Sequence, residues 1–259
     1  MRVRGGETGR LGGKVTLIAG AGNGMGRAAA VLFASQGANV AVCARSAERL
    51  RETDRLVRLT GREGLAVPTD LLEPEAATEL VAVVLERFGH IDAVMINAGT
   101  SGYIGLPLTE TPIAVDQQMI DLNIRVTLNT SRAVLPSLAD SNGSLILVAA
   151  SPKTLLWPNA TYAATKGGVL ELTRSLAREW WPKVRVNSIS PGSIRRVRVG
   201  SAVQPISGSL DRGGDPDDVM NFGGEPADVA YAALFLAGDE SSWVSGVDIP
   251  VDGGAHVRW

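Results

Sequence analysis

The stretch Val15-Thr16-Leu17-Ile18-Ala19-Gly20-Ala21-Gly22-Asn23-Gly24-Met25-Gly26 decides the fold of this 259-residue chain. Its first five residues are a run of strand length in which apolarity is nearly unbroken, the mark of a parallel strand covered on both faces. The glycines that follow form a tight turn, and a helical run over residues 24–36 begins at once behind it. In such a strand-turn-helix the glycines let the backbone approach a pyrophosphate, while the helix start supplies free N–H groups and the positive end of a dipole. A glycine-rich turn alone says little. Between a strand and a helix, at the head of a βαβ series, it reads as a dinucleotide site.

Outward from this unit, strand-like runs at 40–44, 66–68, 93–97, 145–149, 184–189 and 247–251 alternate with helical runs at 48–60, 73–88, 115–138, 162–180 and 226–237. The alternation predicts an α/β fold: a single domain with a doubly wound parallel sheet of seven strands, helices on both faces and right-handed crossovers. No internal repeat or linker divides the chain. Residues 1–10 read as an N-terminal extension and 11–259 as the domain. Residues 192–224, rich in Gly, Ser, Asp and Arg, exceed the usual length of a connection and read as a substrate loop or lid.

Composition narrows the function. A net charge of -2 and a pI near 5.8 give no electrostatic reason to expect a nucleic acid or a membrane surface as partner. Cys43, the single cysteine, lies in an apolar run and reads as a core residue of a protein needing no disulfide, which points to the cytoplasm. His90 and His256 have no partners at metal-ligand spacing and read as surface residues.

An acidic residue about 20 positions beyond the glycine turn usually grips the adenine ribose, and an arginine there accommodates a 2′-phosphate instead. Here those positions are Arg45 and Ser46, so NADP(H) is favoured over NAD(H). Asp70 and the triplet Asn97-Ala98-Gly99 end the third and fourth strands, where open α/β sheets bind their ligands.

Tyr162 and Lys166 stand four residues apart on one face of a helix. A cation roughly 5 Å from a phenol at an effective dielectric near 20 favours the phenolate by about 3 kcal/mol, some two pKa units. Proton transfer near neutral pH is the expected result.

Together these residues resemble the short-chain dehydrogenase/reductase family. The resemblance runs from about Leu11 to Gly254 and rests on Gly20, Gly24 and Gly26; Asp70; Asn97-Ala98-Gly99; Leu122-Asn123; Tyr162 with Lys166; Asn187 through Pro191-Gly192; Glu225-Pro226; and Val251-Asp252-Gly253-Gly254. It implies a Rossmann-type domain with strand order 3-2-1-4-5-6-7 and hydride transfer between nicotinamide and a ketone or secondary alcohol. Tyr162 would be the general acid/base, Lys166 would lower its pKa and hold the nicotinamide ribose, and Asn123 would orient a water. Gly20, Asn23, Gly24, Met25 and Gly26 would cradle the phosphates. Asp70 and Leu71 would lie along the adenine, Asn97 to Gly99 along the ribose, and Pro191, Gly192 and Ile194 along the nicotinamide. A homo-oligomer, tetramer or dimer, packed through 115–138 and 162–180 is also implied.

The chain departs from the family at the serine that usually lies twelve or thirteen residues before the tyrosine, where it has Ala150 and Ala149. Either a shortened loop lets Ser151 reach the substrate oxygen, which is the favoured reading, or one oxygen donor has been lost. Tyr103, Ile104, Leu155, Leu156 and Trp157 read either as a largely apolar substrate mouth or as core, and Arg195, Arg196 and Arg198 either as contacts to cofactor phosphates or an acidic substrate group or as a solvated charge run. Two rivals stand beside a carbonyl reductase: a 3-oxoacyl thioester reductase, and a weakly catalytic cofactor-binding sensor or structural protein motivated by Ala149 and Ala150.

Overall fold

The computed structural model describes residues 9–100, 106–152, 159–195 and 223–257. Tyr103, Ile104, Leu155, Leu156, Trp157, Arg196, Arg198 and most of the 192–224 loop lie outside them. Seven strands, β1 (Val15–Ala19), β2 (Asn39–Ala44), β3 (Gly64–Pro68), β4 (Ala93–Ile96), β5 (Ser144–Val148), β6 (Arg185–Pro191) and β7 (Asp248–Val251), form one sheet in the order β3-β2-β1-β4-β5-β6-β7. Every pairing is parallel.

Helices α1 (Gly24–Ser35), α2 (Ala47–Arg58), α3 (Pro74–Phe88), α4 (Ile113–Ile120), α5 (Val126–Ser141), α6 (Ala160–Trp180) and α7 (Pro226–Ala237) cover both faces. The apolar side chains sort into two cores. Phe33, Leu50, Val57, Val229 and Leu234 from α1, α2 and α7 pack on one face of the sheet. Leu80, Val84, Val134, Leu138, Val169 and Leu176 from α3, α5 and α6 pack on the other. β1 feeds both: Leu17 points to one core and Ile18 to the other, as the period of two in a strand requires. A fully buried Leu, Ile or Phe contributes about 1.5–3 kcal/mol, so these layers hold the sheet rigid. Cys43 is buried among them, and burial pushes its thiol up to about 12, which leaves it inert.

Element boundaries move by one or two residues from the sequence reading, with one larger correction. The helix expected over 115–138 is interrupted. After α4 the backbone makes a π-helical turn at Asp121–Arg125 before α5 resumes. A π turn inserts one residue without breaking the apolar run, so periodicity alone misses it, and such turns recur at functional sites. Among the described residues no helix is long and apolar enough to cross a membrane.

The strand order reverses direction at β1, which pairs with β2 on one side and β4 on the other. Ligands of open α/β sheets bind in the crevice beyond the carboxyl ends of the strands at such a point.

Candidate active site

The chain turns out of β1 at Gly20, whose N–H, with that of Ala21, donates to the Cys43 carbonyl of β2 (2.8 and 3.2 Å). Gly20 has φ +82°, and a Cβ there would lie 2.6 Å from the Ala98 nitrogen, so only glycine lets β1 and the end of β4 meet. Gly26 is equally constrained: its Cβ would lie 2.4 Å from the Gly20 carbonyl oxygen. Asn23 caps α1 without a side-chain hydrogen bond, and no acidic residue occupies the first turn. The helix start therefore presents its backbone N–H groups and an uncompensated positive dipole end.

The sequence reading missed two residues that brace this turn. The Arg27 guanidinium donates to the Gly22 carbonyl (2.6 Å) and to Thr53 Oγ1 (3.0 Å), and the Thr53 hydroxyl donates to the Ala21 carbonyl (2.8 Å). A cation in the first turn of a helix opposes the dipole. That misplacement was the available signal for Arg27.

Beyond the carboxyl ends of β1 to β4 opens a cleft of about 600 Å³. It is lined by Gly20, Asn23, Arg45, Ser46, Asp70, Leu71, Asn97, Ala98 and Gly99 among the expected residues, and by Gly22, Glu48, Arg49, Leu122 and Val126 besides. Gly24, Met25 and Gly26 are not part of this lining, and Met25 packs against the core on the α1 side of the sheet. Ser46 caps α2 through the Arg49 N–H (3.3 Å). Asn97 donates to the Gly20 carbonyl (3.0 Å), while its Oδ1 is buried with no protein partner. Asn129 of α5 donates to the carbonyls of Leu71 and Leu72 and fixes the turn after β3.

At the cleft's edge a Cβ on Gly99 would meet Asn123 Oδ1 at 2.7 Å and Lys166 Nζ at 3.3 Å. Gly99 is thus the point where the cleft touches the Tyr162-Lys166 helix. Asn159 caps α6 by accepting from the Tyr162 N–H (2.9 Å). The π turn aims Asn123, fully buried, back at the loop after β4, where it accepts from the Thr100 N–H and donates to the Thr100 carbonyl, both at 2.9 Å. It also donates to Thr165 Oγ1 (3.1 Å), whose hydroxyl donates to the Tyr162 carbonyl (2.9 Å).

Three expectations change here. Lys166 is only 6 % exposed and donates to the Val148 carbonyl at the end of β5 (2.8 Å). Burial pulls its ammonium down to about 8, and burial pushes the Tyr162 phenol up to about 12 rather than down. Desolvation outweighs the cation, because both charged forms are removed from water and the ammonium is committed to a carbonyl. Ser151, expected to reach the substrate oxygen, is fully buried and donates to Asp252 Oδ2 (2.5 Å), with Ala149 and Ala150 buried before it. His256, expected at the surface, is half-buried with Nδ1 3.0 Å from both Asp252 oxygens. Pro191 and Gly192 stand beside this group: the Pro191 carbonyl accepts from the Ser151 N–H, and Gly192 donates to the Val251 carbonyl. Ile194 bridges to Gly224.

The sequence model of the family described as enoyl-(acyl carrier protein) reductase matches residues 20–256. A short-chain type dehydrogenase/reductase from Mycobacterium marinum superposes with a TM-score of 0.82 at 28% identity, over 96% of this chain and 97% of that one. The chain belongs to the short-chain dehydrogenase/reductase family. Its relatives in this oxidoreductase family include the 2,5-dichloro-2,5-cyclohexadiene-1,4-diol dehydrogenase of Sphingobium indicum, 32% identical over 96% of this chain and 98% of that protein. The carveol dehydrogenase of Mycobacterium avium, solved in complex with NAD, superposes with a TM-score of 0.83 at 29% identity, over 97% of this chain and 100% of that one. The short-chain dehydrogenase/reductase assignment thus rests on whole-chain matches in sequence and in structure.

Proposed function

We propose that the protein interconverts a ketone and a secondary alcohol with NADP(H) as hydride carrier, Tyr162 being the general acid/base. The observation that carries this reading is the convergence at Gly99, where the nucleotide-type cleft meets Lys166 and Asn123 beside the Tyr162 helix. The cleft fits a dinucleotide: the α1 N–H groups suit a pyrophosphate, and the buried, unpartnered Asn97 Oδ1 awaits a donor. A bound nicotinamide would supply or accept the hydride. Arg45 and Arg49 line the rim where the 2′-phosphate of NADP would lie, which supports it over NAD.

The phenol of Tyr162, held well above neutral pH, enters the reaction protonated and serves first as the acid that donates to a ketone oxygen. Lys166, whose ammonium burial pulls down to about 8, is read as the group that holds the nicotinamide ribose and favours the charged form of Tyr162. Asn123 holds the loop after β4 against the catalytic helix. The relatives named for a cyclohexadiene diol and for carveol support an alcohol as substrate, and we read that substrate as largely apolar.

A weakly catalytic sensor is the second reading, favoured by Ala149 and Ala150 at the serine positions and by the turning of Ser151 to Asp252. A 3-oxoacyl thioester reductase is a third; the description of the matching family shares with it an acyl thioester substrate, though not the bond that is reduced. We also read the protein as a cytoplasmic homo-oligomer. Ile113 (75% exposed), Ile120 (46%) and Leu128 (39%) on α4 and α5 support a helix-to-helix interface. Turnover over a panel of ketones, secondary alcohols and 3-oxoacyl thioesters, run with NADPH and NADH, tests these readings. Tight NADPH binding with no turnover would establish the sensor, and light scattering reads the assembly.

A further inference from the structure

Asp252 is a buried carboxylate that the chemistry above does not use. Its side chain is 1% exposed. It accepts from the Ser151 hydroxyl (2.5 Å) and the His256 N–H (3.1 Å) at Oδ2, from the Gly254 N–H (3.0 Å) at Oδ1, and lies against His256 Nδ1. Burial favours its neutral form, but the hydrogen bonds from Ser151, His256 and Gly254 outweigh burial and hold it below the usual carboxylate range.

Three segments meet here, and one of them reaches Lys166. β5 pairs with β4 only as far as Leu147, so beyond it the 148–151 segment relies on β6, through Ala149 N–H to the Ile189 carbonyl (2.8 Å) and Ser151 N–H to the Pro191 carbonyl (2.9 Å). That segment carries the Val148 carbonyl to which Lys166 donates. Gly192 passes so close that a Cβ on it would lie 2.6 Å from Asp252 Cβ.

We propose that Asp252 is a positioning residue: by gripping Ser151 against the Pro191-Gly192 turn it sets the Val148 carbonyl that holds the Lys166 ammonium in place. Ser151 then acts through Asp252 and not as a donor to substrate. The inference rests on the oxidoreductase reading, because the placement of Lys166 matters only where Tyr162 transfers a proton.

The test compares wild type, Asp252→Asn, Asp252→Ala, Ser151→Ala and the Ser151→Ala/Asp252→Ala double variant, using a ketone that wild type reduces. A misplacement of about 1 Å costs up to roughly a hundredfold in rate, so Asp252→Ala should lower kcat about thirtyfold with KM for NADPH within about threefold. Asp252→Asn, which keeps acceptor and shape, should recover to within about fivefold of wild type, and Ser151→Ala should add nothing to Asp252→Ala, as for residues acting as one unit. Amide hydrogen exchange at Ser151 and Gly192 in the nucleotide-free proteins should quicken in every variant, independently of activity.

A kcat unchanged in folded Asp252→Asn and Asp252→Ala would overturn the proposal, as would a hundredfold loss in Ser151→Ala alongside a mild loss in Asp252→Ala. Should Asp252→Ala fail to fold, Asp252→Asn and Ser151→Ala carry the same comparison. A wild type that turns over nothing defeats the enzyme reading instead, and exchange unchanged in the variants would then still defeat the pin.

Discussion

The two ends of the site are built from different material. At the cleft end the glycine turn is shaped by backbone: close-packed glycines, a bare helix start, and carbonyls braced by Arg27 and Thr53. At the reaction end the groups are side chains from distant segments, with Lys166 tied to Val148, Asn123 to Thr100 and Ser151 to Asp252. The difference teaches where each end is vulnerable. The first fails when a single Cβ is added, and the second when one partner of a buried polar pair is removed.

The largest expected effect on cofactor binding lies at the backbone end. Gly26→Ala puts a Cβ 2.4 Å from the Gly20 carbonyl oxygen and 2.9 Å from Ala21 Cα, both backbone atoms that must move. Overpacking of 1–3 kcal/mol in the turn itself translates to a loss of NADPH affinity approaching a hundredfold, read by fluorescence titration. Wild-type affinity in this variant would mean the turn does not shape the site.

Arg45→Asp should come next. It replaces a partner for the 2′-phosphate with a repelling charge, and the ratio of kcat/KM for NADPH to that for NADH should fall roughly thirtyfold. A wild type that already prefers NADH would end the argument for NADP at its root.

At the side-chain end, Ala150→Ser restores a hydroxyl twelve residues before Tyr162. One missing oxygen donor typically costs on the order of a hundredfold, so regaining part of it should raise kcat about tenfold. The buried hydroxyl should cost about 1 kcal/mol of stability if it pairs poorly in the unliganded protein. A slower Ala150→Ser enzyme would show that the alanine is required there.

A pH dependence of stability completes the comparison. Lys166 holds its proton to about 8 in the folded protein and to its ordinary 10.5 in the unfolded chain. Between those values the unfolded chain binds more protons, so stability should rise with pH through the window. Tyr162 acts oppositely but only between its ordinary 10.0 and about 12. Urea unfolding of wild type and Lys166→Met from pH 8 to 10 isolates the lysine. A difference between the two that stays flat with pH would mean that Lys166 is not desolvated.

The same division explains what could be read in the sequence. Parallel strands announce themselves as apolar runs, and glycines with forced close approach sit at fixed offsets, so the sheet and the lining of the nucleotide cleft were legible from Val15 to Gly26, Arg45, Asp70 and Asn97 onward, while the strand order came from the family resemblance. The reaction corner was legible in composition but not in arrangement. Spacing put Tyr162 and Lys166 on one face but could not weigh burial against their mutual charge, and the desolvation of both sides reversed the expected shift. The π turn at Asp121–Arg125 preserves the apolar pattern while rotating Asn123 inward. Spacing could not show that Ser151 and His256 both meet Asp252, about a hundred residues beyond Ser151.

The central claim is that Tyr162 transfers the proton. The direct measurement is kcat for reduction of a ketone by Tyr162→Phe, with NADPH affinity measured alongside. A positioned general acid is worth a factor of about 10² or more, so the account predicts a loss of at least that size with NADPH affinity unchanged. A variant that keeps more than about a tenth of the wild-type rate would contradict it.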